Sequence, residues 1–153
     1  MHVIKDTRAL EGVRKTIYPP ALEFDPEKRA KRALTGLLGL TQFGVNLVTL
    51  EPGGMSSFRH WHAKEDECIL VLEGEVVLIT DQGETLLEAG MAAGFPAGEP
   101  NGHHLVNRSK LPATYLEMGT RSTEESVTYS DVDLKIERSG GVNRMLHKSG
   151  EPY

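Results

Sequence analysis

The chain has a single cysteine, Cys68, among 153 residues, which excludes an internal disulfide and fits a reducing compartment. It has no long apolar run: stretches such as Cys68-Ile-Leu-Val-Leu72 end after a few residues, where about 20 are needed to span a bilayer. Its first residues, Met1-His-Val-Ile-Lys-Asp-Thr-Arg8, lack the apolar core of a secretory signal. It has no excess of positive charge either. Against 22 Asp and Glu stand 17 Lys and Arg, for a formal charge of −5, so no cationic footprint argues for nucleic acid. The one basic cluster, Glu27-Lys-Arg-Ala-Lys-Arg32, reads as a solvated face or arm. Internal repeats, low-complexity tracts and helix-turn-helix segments are missing. These absences lead to the expectation of a soluble, cytoplasmic protein that binds neither membrane nor nucleic acid.

Amphipathic runs of helical length are also missing, and alternation takes their place. Phe43, Val45, Leu47 and Thr49 interleave with Gly44, Asn46, Val48 and Leu50 before Pro52-Gly53-Gly54 ends the pattern. Short strands are expected over about 56–62, 67–73, 75–81, 84–88, 92–95, 103–107 and 112–120, with turns at Glu73-Gly74, Asp81-Gln-Gly83 and Arg108-Ser-Lys110. Consecutive antiparallel strands that close on themselves predict an all-β, double-sheet jelly-roll barrel. The whole chain, 1–153, is expected as one domain, with the barrel over 41–121 between two extended arms. The first arm, 1–40, carries Tyr18-Pro-Pro20, which cannot be a central strand. The second, 122–153, contains Val127-Thr-Tyr-Ser-Asp-Val-Asp-Leu134 and a Gly140-Gly141 break. Neither arm shows a core of its own. The open sheet edges predict a homodimer in which an arm packs on, or adds a strand to, the partner's sheet.

Four of the six histidines fall in two clusters. In the first, Gly54, His60, His62, Glu67 and Gly74 are separated by five, one, four and six residues. Histidines at i and i+2 on an extended strand point the same way, about 7 Å apart, and a carboxylate beyond a short turn can return to meet them. Imidazole and carboxylate together suit a borderline divalent metal. The second cluster, Gly90-Met-Ala-Ala-Gly-Phe-Pro96-Ala-Gly98-Glu-Pro-Asn-Gly102-His103-His104-Leu-Val-Asn107, puts a tight turn before a histidine pair entering a short apolar run. His2 and His147, near the ends, read as solvated.

Together the two segments resemble the paired motifs of the cupin superfamily, G-x5-H-x-H-x3,4-E-x6-G and G-x5-P-x-G-x2-H-x3-N. The first motif matches at every position. In the second, Gly90, Pro96 and Gly98 match, and His103 with Asn107 keeps the last step, but two extra residues separate Gly98 from His103. The resemblance covers about a third of the chain and extends in tone to the small stand-alone bacterial cupins. It implies a cupin-type double-stranded β-helix holding one divalent transition metal (Mn, Fe, Ni, Co, Cu or Zn) on His60, His62, Glu67 and His103, with barrels commonly paired. Spacing from Asn107 and strand alternation favour His103 over His104 as the fourth ligand.

Alternation assigns the remaining side chains. Ile69, Val71, Leu105 and Asn107 are expected to face inward with the ligands, while Trp61 and His104 point outward, Trp61 into the opposite sheet or a subunit interface. Ser57 and Arg59 lie near the mouth but face away from His60. Cys68 points away from Glu67 and reads as a packed apolar residue. Asn46, Tyr115 and Glu117 are pocket or supporting residues, or satisfied polar groups at the barrel rim. No catalytic residue is identified. The expected function is a metalloenzyme acting on a small oxygenated molecule by oxygenase, isomerase or decarboxylase chemistry. The alternative is a non-catalytic binding or sensing module in which the metal anchors a small ligand.

Overall fold

The computed structural model describes residues 1–153. Strands β1 (Arg29–Ala33), β2 (Phe43–Leu50), β4 (Glu67–Glu73), β7 (Ala92–Phe95) and β9 (Ala113–Thr120) form an antiparallel sheet in the order β1-β2-β9-β4-β7. Side-chain alternation puts Val48 and Leu50, Ile69 and Val71, and Ala113 and Tyr115 on one face, where all are buried. Facing them is the sheet β6-β5-β8, built from β5 (Glu75–Thr80), β6 (Gly83–Glu88) and β8 (His104–Val106). Its Val76, Leu78, Leu87 and Leu105 complete the core. A third sheet, β12-β11-β10-β3, joins β3 (His60–His62), β10 (Glu125–Tyr129), β11 (Lys135–Ser139) and β12 (Val142–Leu146). His60 and His103 exchange backbone hydrogen bonds of 3.2 and 3.0 Å, which carry this layer across from β8 to β3. The result is the all-β jelly roll expected from the strand pattern, with one short helix, α1 (Leu34–Leu37). No helix is long and apolar enough to cross a membrane.

The strands at 67–73 and 92–95 lie at their expected bounds. The strand expected over 56–62 shrinks to β3, because the Ser56 amide and hydroxyl are taken by the Leu105 carbonyl and amide, at 2.8 and 2.9 Å. At the hairpin between β4 and β5, Gly74 has φ +73, and a Cβ there would lie 2.9 Å from the Pro112 carbonyl oxygen. Only glycine meets both demands.

The arms depart most from expectation. The basic run is not a solvated face but strand β1, paired with β2 and capped on its outer edge by mutual backbone bonds between Val13 and Lys31, at 2.9 and 3.0 Å. Its cations reach acceptors at their tips: Lys31 meets Glu117, Arg29 the Ser56 carbonyl, and Arg32 the Leu10 carbonyl. Long aliphatic stems let such residues line a strand while their charges stay satisfied. The C-terminal segment also has a core of its own, contrary to expectation. Val127, Tyr129, Leu134 and Ile136 are buried together, and Tyr18 of the N-terminal segment packs its ring 5.6 Å from that of Tyr129 and 4.9 Å from that of Phe58. Both end segments thus lie on their own barrel. His147 is not simply solvated: it pairs with Asp133 at 2.8 Å and stacks on Tyr153.

Leu134 is fully buried in this second core. Truncation to alanine removes its packing and leaves a cavity, so Leu134→Ala is expected to lower stability by about 3 kcal/mol in urea unfolding. A loss below about 1 kcal/mol would mean that the segment is only draped on the barrel.

Candidate metal centre

The site is assembled by strand register. On the inner face of the main sheet, Val48, Tyr115 and Val71 stand side by side across β2, β9 and β4, followed by Asn46, Glu117 and Ile69, then by Gly44, Gly119 and Glu67. The face therefore changes from apolar to polar along its length, and Glu67 falls in the last layer, beside two residues without side chains. From the opposite layer, β3 contributes His60 and His62 by alternation, and the residue just before β8 contributes His103.

Three imidazoles converge on one carboxylate oxygen. Glu67 Oε2 lies 3.2 Å from His103 Nε2, 3.3 Å from His62 Nε2 and 3.8 Å from His60 Nε2. The ligand-type atoms of His60, His62 and Glu67 all fall within 4.8 Å of one another. No lysine or arginine pairs with Glu67. The donor set fits a divalent cation: three neutral nitrogens and one anionic oxygen aimed at a common space. One of the far nitrogens is also arranged for that role. His60 Nδ1 donates to the Phe58 carbonyl at 2.9 Å, which leaves its Nε2 lone pair facing inward. Ser57, expected to face away, also reaches His60 Nδ1, at 3.3 Å. His62 Nδ1 and His103 Nδ1 are buried without hydrogen-bond partners, although His62 Nδ1 lies 3.6 Å from Glu125 Oε2 and 3.8 Å from Glu65 Oε2. The His103 ring stacks on Phe95 with centroids 3.6 Å apart and planes 2° from parallel.

Electrostatics keeps His60 and Glu67 in ligand form. Burial pushes His60 down to about 4, against the pull of Glu67, so it is neutral at pH 7. Burial raises Glu67, but the His103 hydrogen bond and the neighbouring histidines outweigh it and hold the carboxyl at about 2. His104 lies apart: its Nδ1 is 2.8 Å from the Ser57 carbonyl. The longer loop before His103 is absorbed locally, with the Asp81 amide donating to Asn101 Oδ1 at 3.0 Å and Gly98 N–H donating to the His62 carbonyl at 2.8 Å.

Two large cavities reach the cluster. One, of about 330 Å³, touches His62 and His103 and is walled by Thr80, Gln82, Glu84, Glu99 and Asn101. Trp61, expected in the opposite sheet or an interface, borders this opening instead. The other, of about 260 Å³, opens on Glu67 and has no apolar residue in its wall, which includes Lys31, Asn46, Glu117, Thr120 and Arg121. Arg59 belongs to neither: it binds both oxygens of Asp131, at 2.7 and 2.6 Å, and Asp81 at 2.7 Å.

Several supporting residues had no signal in the sequence. Lys31 and Arg121 sit outside the motifs, and Glu125 lies in the segment read as an arm. Glu125 Oε1 accepts backbone N–H bonds from Ala63 and Lys64, both at 3.0 Å, which fixes the turn between His62 and Glu67. Glu65 in that turn is clamped by Arg138 at 2.6 Å and by the Ser122 amide at 2.7 Å. Oε1 of each carboxylate is occupied by these donors, and both residues act as struts behind His62.

The architecture and residues match known proteins. The Cupin domain family matches over residues 46–119. A sugar phosphate isomerase of the cupin superfamily from Silicibacter pomeroyi is 43% identical, with 97% of this chain and 94% of that one aligned at a TM-score of 0.90. A protein proposed to be a sugar phosphate isomerase, from Acidithiobacillus ferrooxidans, is 25% identical over 84% of this chain and 83% of that one, with a TM-score of 0.76. A polyketide cyclase from Streptomyces resistomycificus is 28% identical over 61% of this chain and 66% of that one, with a TM-score of 0.53. No curated protein matches. With its jelly-roll layers, its two histidine-bearing segments and a relative similar over nearly its whole length, the chain belongs to the cupin superfamily.

Proposed function

We propose that residues 1–153 act as a single domain that interconverts an aldose and a ketose of a phosphorylated sugar, using one divalent transition metal held by His60, His62, Glu67 and His103. The observation that carries this reading is the wholly polar cavity opening on Glu67, with Lys31 and Arg121 in its wall. Such a lining suits a hydrated, anionic substrate and offers nothing to an aromatic one. Arg121 forms no ion pair within the chain, so its charge is free for a phosphate. The relative from Silicibacter pomeroyi, named as a sugar phosphate isomerase, supports the same substrate class.

A divalent metal bound here would supply Lewis acidity to adjacent sugar oxygens. The chain's own residues do the rest. Asn46 and Thr120 present hydrogen-bonding groups to the cavity, and Phe95 holds the His103 ring in plane. We assign the activity to the cytoplasm, where Cys68, which is unpaired, stays reduced. Assembly as a homodimer is part of the proposal: β6 leaves a sheet edge open for a second copy.

Substitution His62→Ala is expected to abolish stoichiometric metal by elemental analysis while the circular dichroism of the barrel persists; full metal retention would remove His62 from the ligand set. His103→Ala should lose metal and His104→Ala keep it, and the opposite pattern would exchange their roles. Chelation should lower the melting temperature by roughly 5–10 °C, since a ligand at about a hundred times its Kd adds about 2.7 kcal/mol to the native state. For the reaction itself, the metal-loaded protein is expected to interconvert at least one of glucose, mannose or ribose phosphates with its ketose, followed by proton NMR, and to consume no oxygen. Oxygen uptake without isomerisation would replace this reading by an oxygenase, and tight binding without turnover by a ligand-anchoring module.

A further inference from the structure

Resting on the isomerase reading, we infer that Glu117 is the group that carries the proton between the two sugar carbons, with Lys31 and Asn46 as its positioning residues. An aldose–ketose isomerisation needs a base beside adjacent carbons, close to the groups that hold their oxygens. Glu117 occupies that place. It lines a small inner cavity, about 40 Å³, together with His60, Glu67 and His103, and it also lines the outer polar cavity that opens on Glu67. It therefore stands between the metal-ligand cluster and the route by which a sugar would arrive.

Its two oxygens are used differently. Oε1 accepts from Lys31 Nζ at 2.7 Å and from Asn46 Nδ2 at 2.9 Å, whereas Oε2 has no partner within the chain. One oxygen is anchored by two donors from neighbouring strands, and the other is available. The adjacent layer, Gly44 and Gly119, contributes no side chain of its own, and the Arg121 guanidinium lies over Gly44, where a Cβ would meet its Nη2 at 2.9 Å. A Cβ at Gly119 would lie 3.3 Å from Glu67 Cγ, so the space this glycine leaves adjoins the ligand carboxylate.

Three other acidic groups near the cluster are unsuited to the role. Glu67 is engaged by three imidazoles. Glu84 is held at both oxygens by Arg108, at 2.6 and 2.7 Å. Burial raises the Tyr115 phenol well above its usual range, so it stays protonated.

The step balances without any redox partner. Glu117 Oε2 takes the proton from C2, and that C–H electron pair becomes the C1–C2 double bond as O1 takes a proton from water. O2 then gives a proton to water as the C2 carbonyl forms, and C1 takes back the proton held on Glu117.

Two measurements test this. In deuterium oxide the parent should incorporate solvent deuterium into the sugar, while Glu117→Gln should lose isomerisation and exchange by about 10²–10⁴-fold, with metal content and KM within about threefold of the parent and partial recovery in Glu117→Asp. A second readout needs no turnover. A 1,2-epoxide of hexitol 6-phosphate, added to metal-free protein, should form an ester on Glu117 by peptide mass spectrometry, and none there in Glu117→Gln. If the parent isomerises and exchanges but Glu117→Gln stays within about tenfold of it, the inference is overturned while the isomerase reading stands. Labelling of Glu84 or Glu99 in place of Glu117, or no labelling of an active protein, overturns it as well. A parent that neither isomerises nor exchanges any sugar phosphate removes the isomerase reading, and the assignment of Glu117 with it.

Discussion

Between His62 and Glu67 lies a four-residue turn, Ala63 to Asp66, whose path decides whether the two ligand strands face each other. The spacing of His62 and Glu67 is set by this turn. The Glu125 carboxylate accepts its first two amides, and the Asp66 amide donates to Thr120 Oγ1 at 2.9 Å while Asp66 Oδ1 accepts from Ala97 N–H at 2.8 Å. Glu65, pinned by Arg138, closes the far side. Buried carboxylates are costly unless they are paired or hydrogen-bonded, and here the bonds that Glu125 accepts are those that hold the turn. The same hydrogen bonds that make Glu65 and Glu125 tolerable in the interior thus set the distance between imidazole and carboxylate.

The interior is graded along the strands. Core packing by Leu50, Val48, Ile69 and Tyr115 gives way, within two residues of the last apolar side chain on each strand, to Asn46, Glu117 and Glu67. The apolar layers stabilise the barrel by burial, and the polar layers sit on that rigid base without being asked to hold it together. This division explains how charged groups can be gathered at one end of a small domain: the strands that carry them are anchored by their other halves. It also orders the polar groups, because neighbours in register differ in length. Of the two glycines in the layer of Glu67, Gly44 makes room for the Arg121 guanidinium, and Gly119 leaves space beside the Glu67 side chain.

The central strands were legible because their alternation is strict, and β4 and β7 were readable to the residue. The four histidine and glutamate positions were legible because a metal-type spacing survives in one short stretch and its downstream partner. What stayed hidden was hidden by charge. In Arg29-Ala-Lys-Arg-Ala33 the inward face is cationic, so hydrophobic periodicity has nothing to detect, although the segment is a paired strand. In Glu125-Ser-Val-Thr-Tyr129 the alternation is present, with Glu125, Val127 and Tyr129 buried, but a glutamate at its head argues for solvent unless its three amide donors are known. Lys31 and Arg121 escaped for the same reason. Their meaning comes from which carboxylate each meets or fails to meet, and that is a property of register between strands far apart in the chain.

The Glu125 strut reaches back 62 residues to Ala63, and Tyr129 pairs across the sheet with His60. During synthesis, all four residues of the cluster therefore leave the ribosome well before the groups that hold them in place. Contacts of such sequence separation form late, so a nascent chain ending near residue 121 carries the donors as a loose string and not as a cage. Assembly of the cluster is thereby deferred until translation of β10 and β11 is done, and the geometry of its donors is set by the finished fold rather than by the emerging histidines.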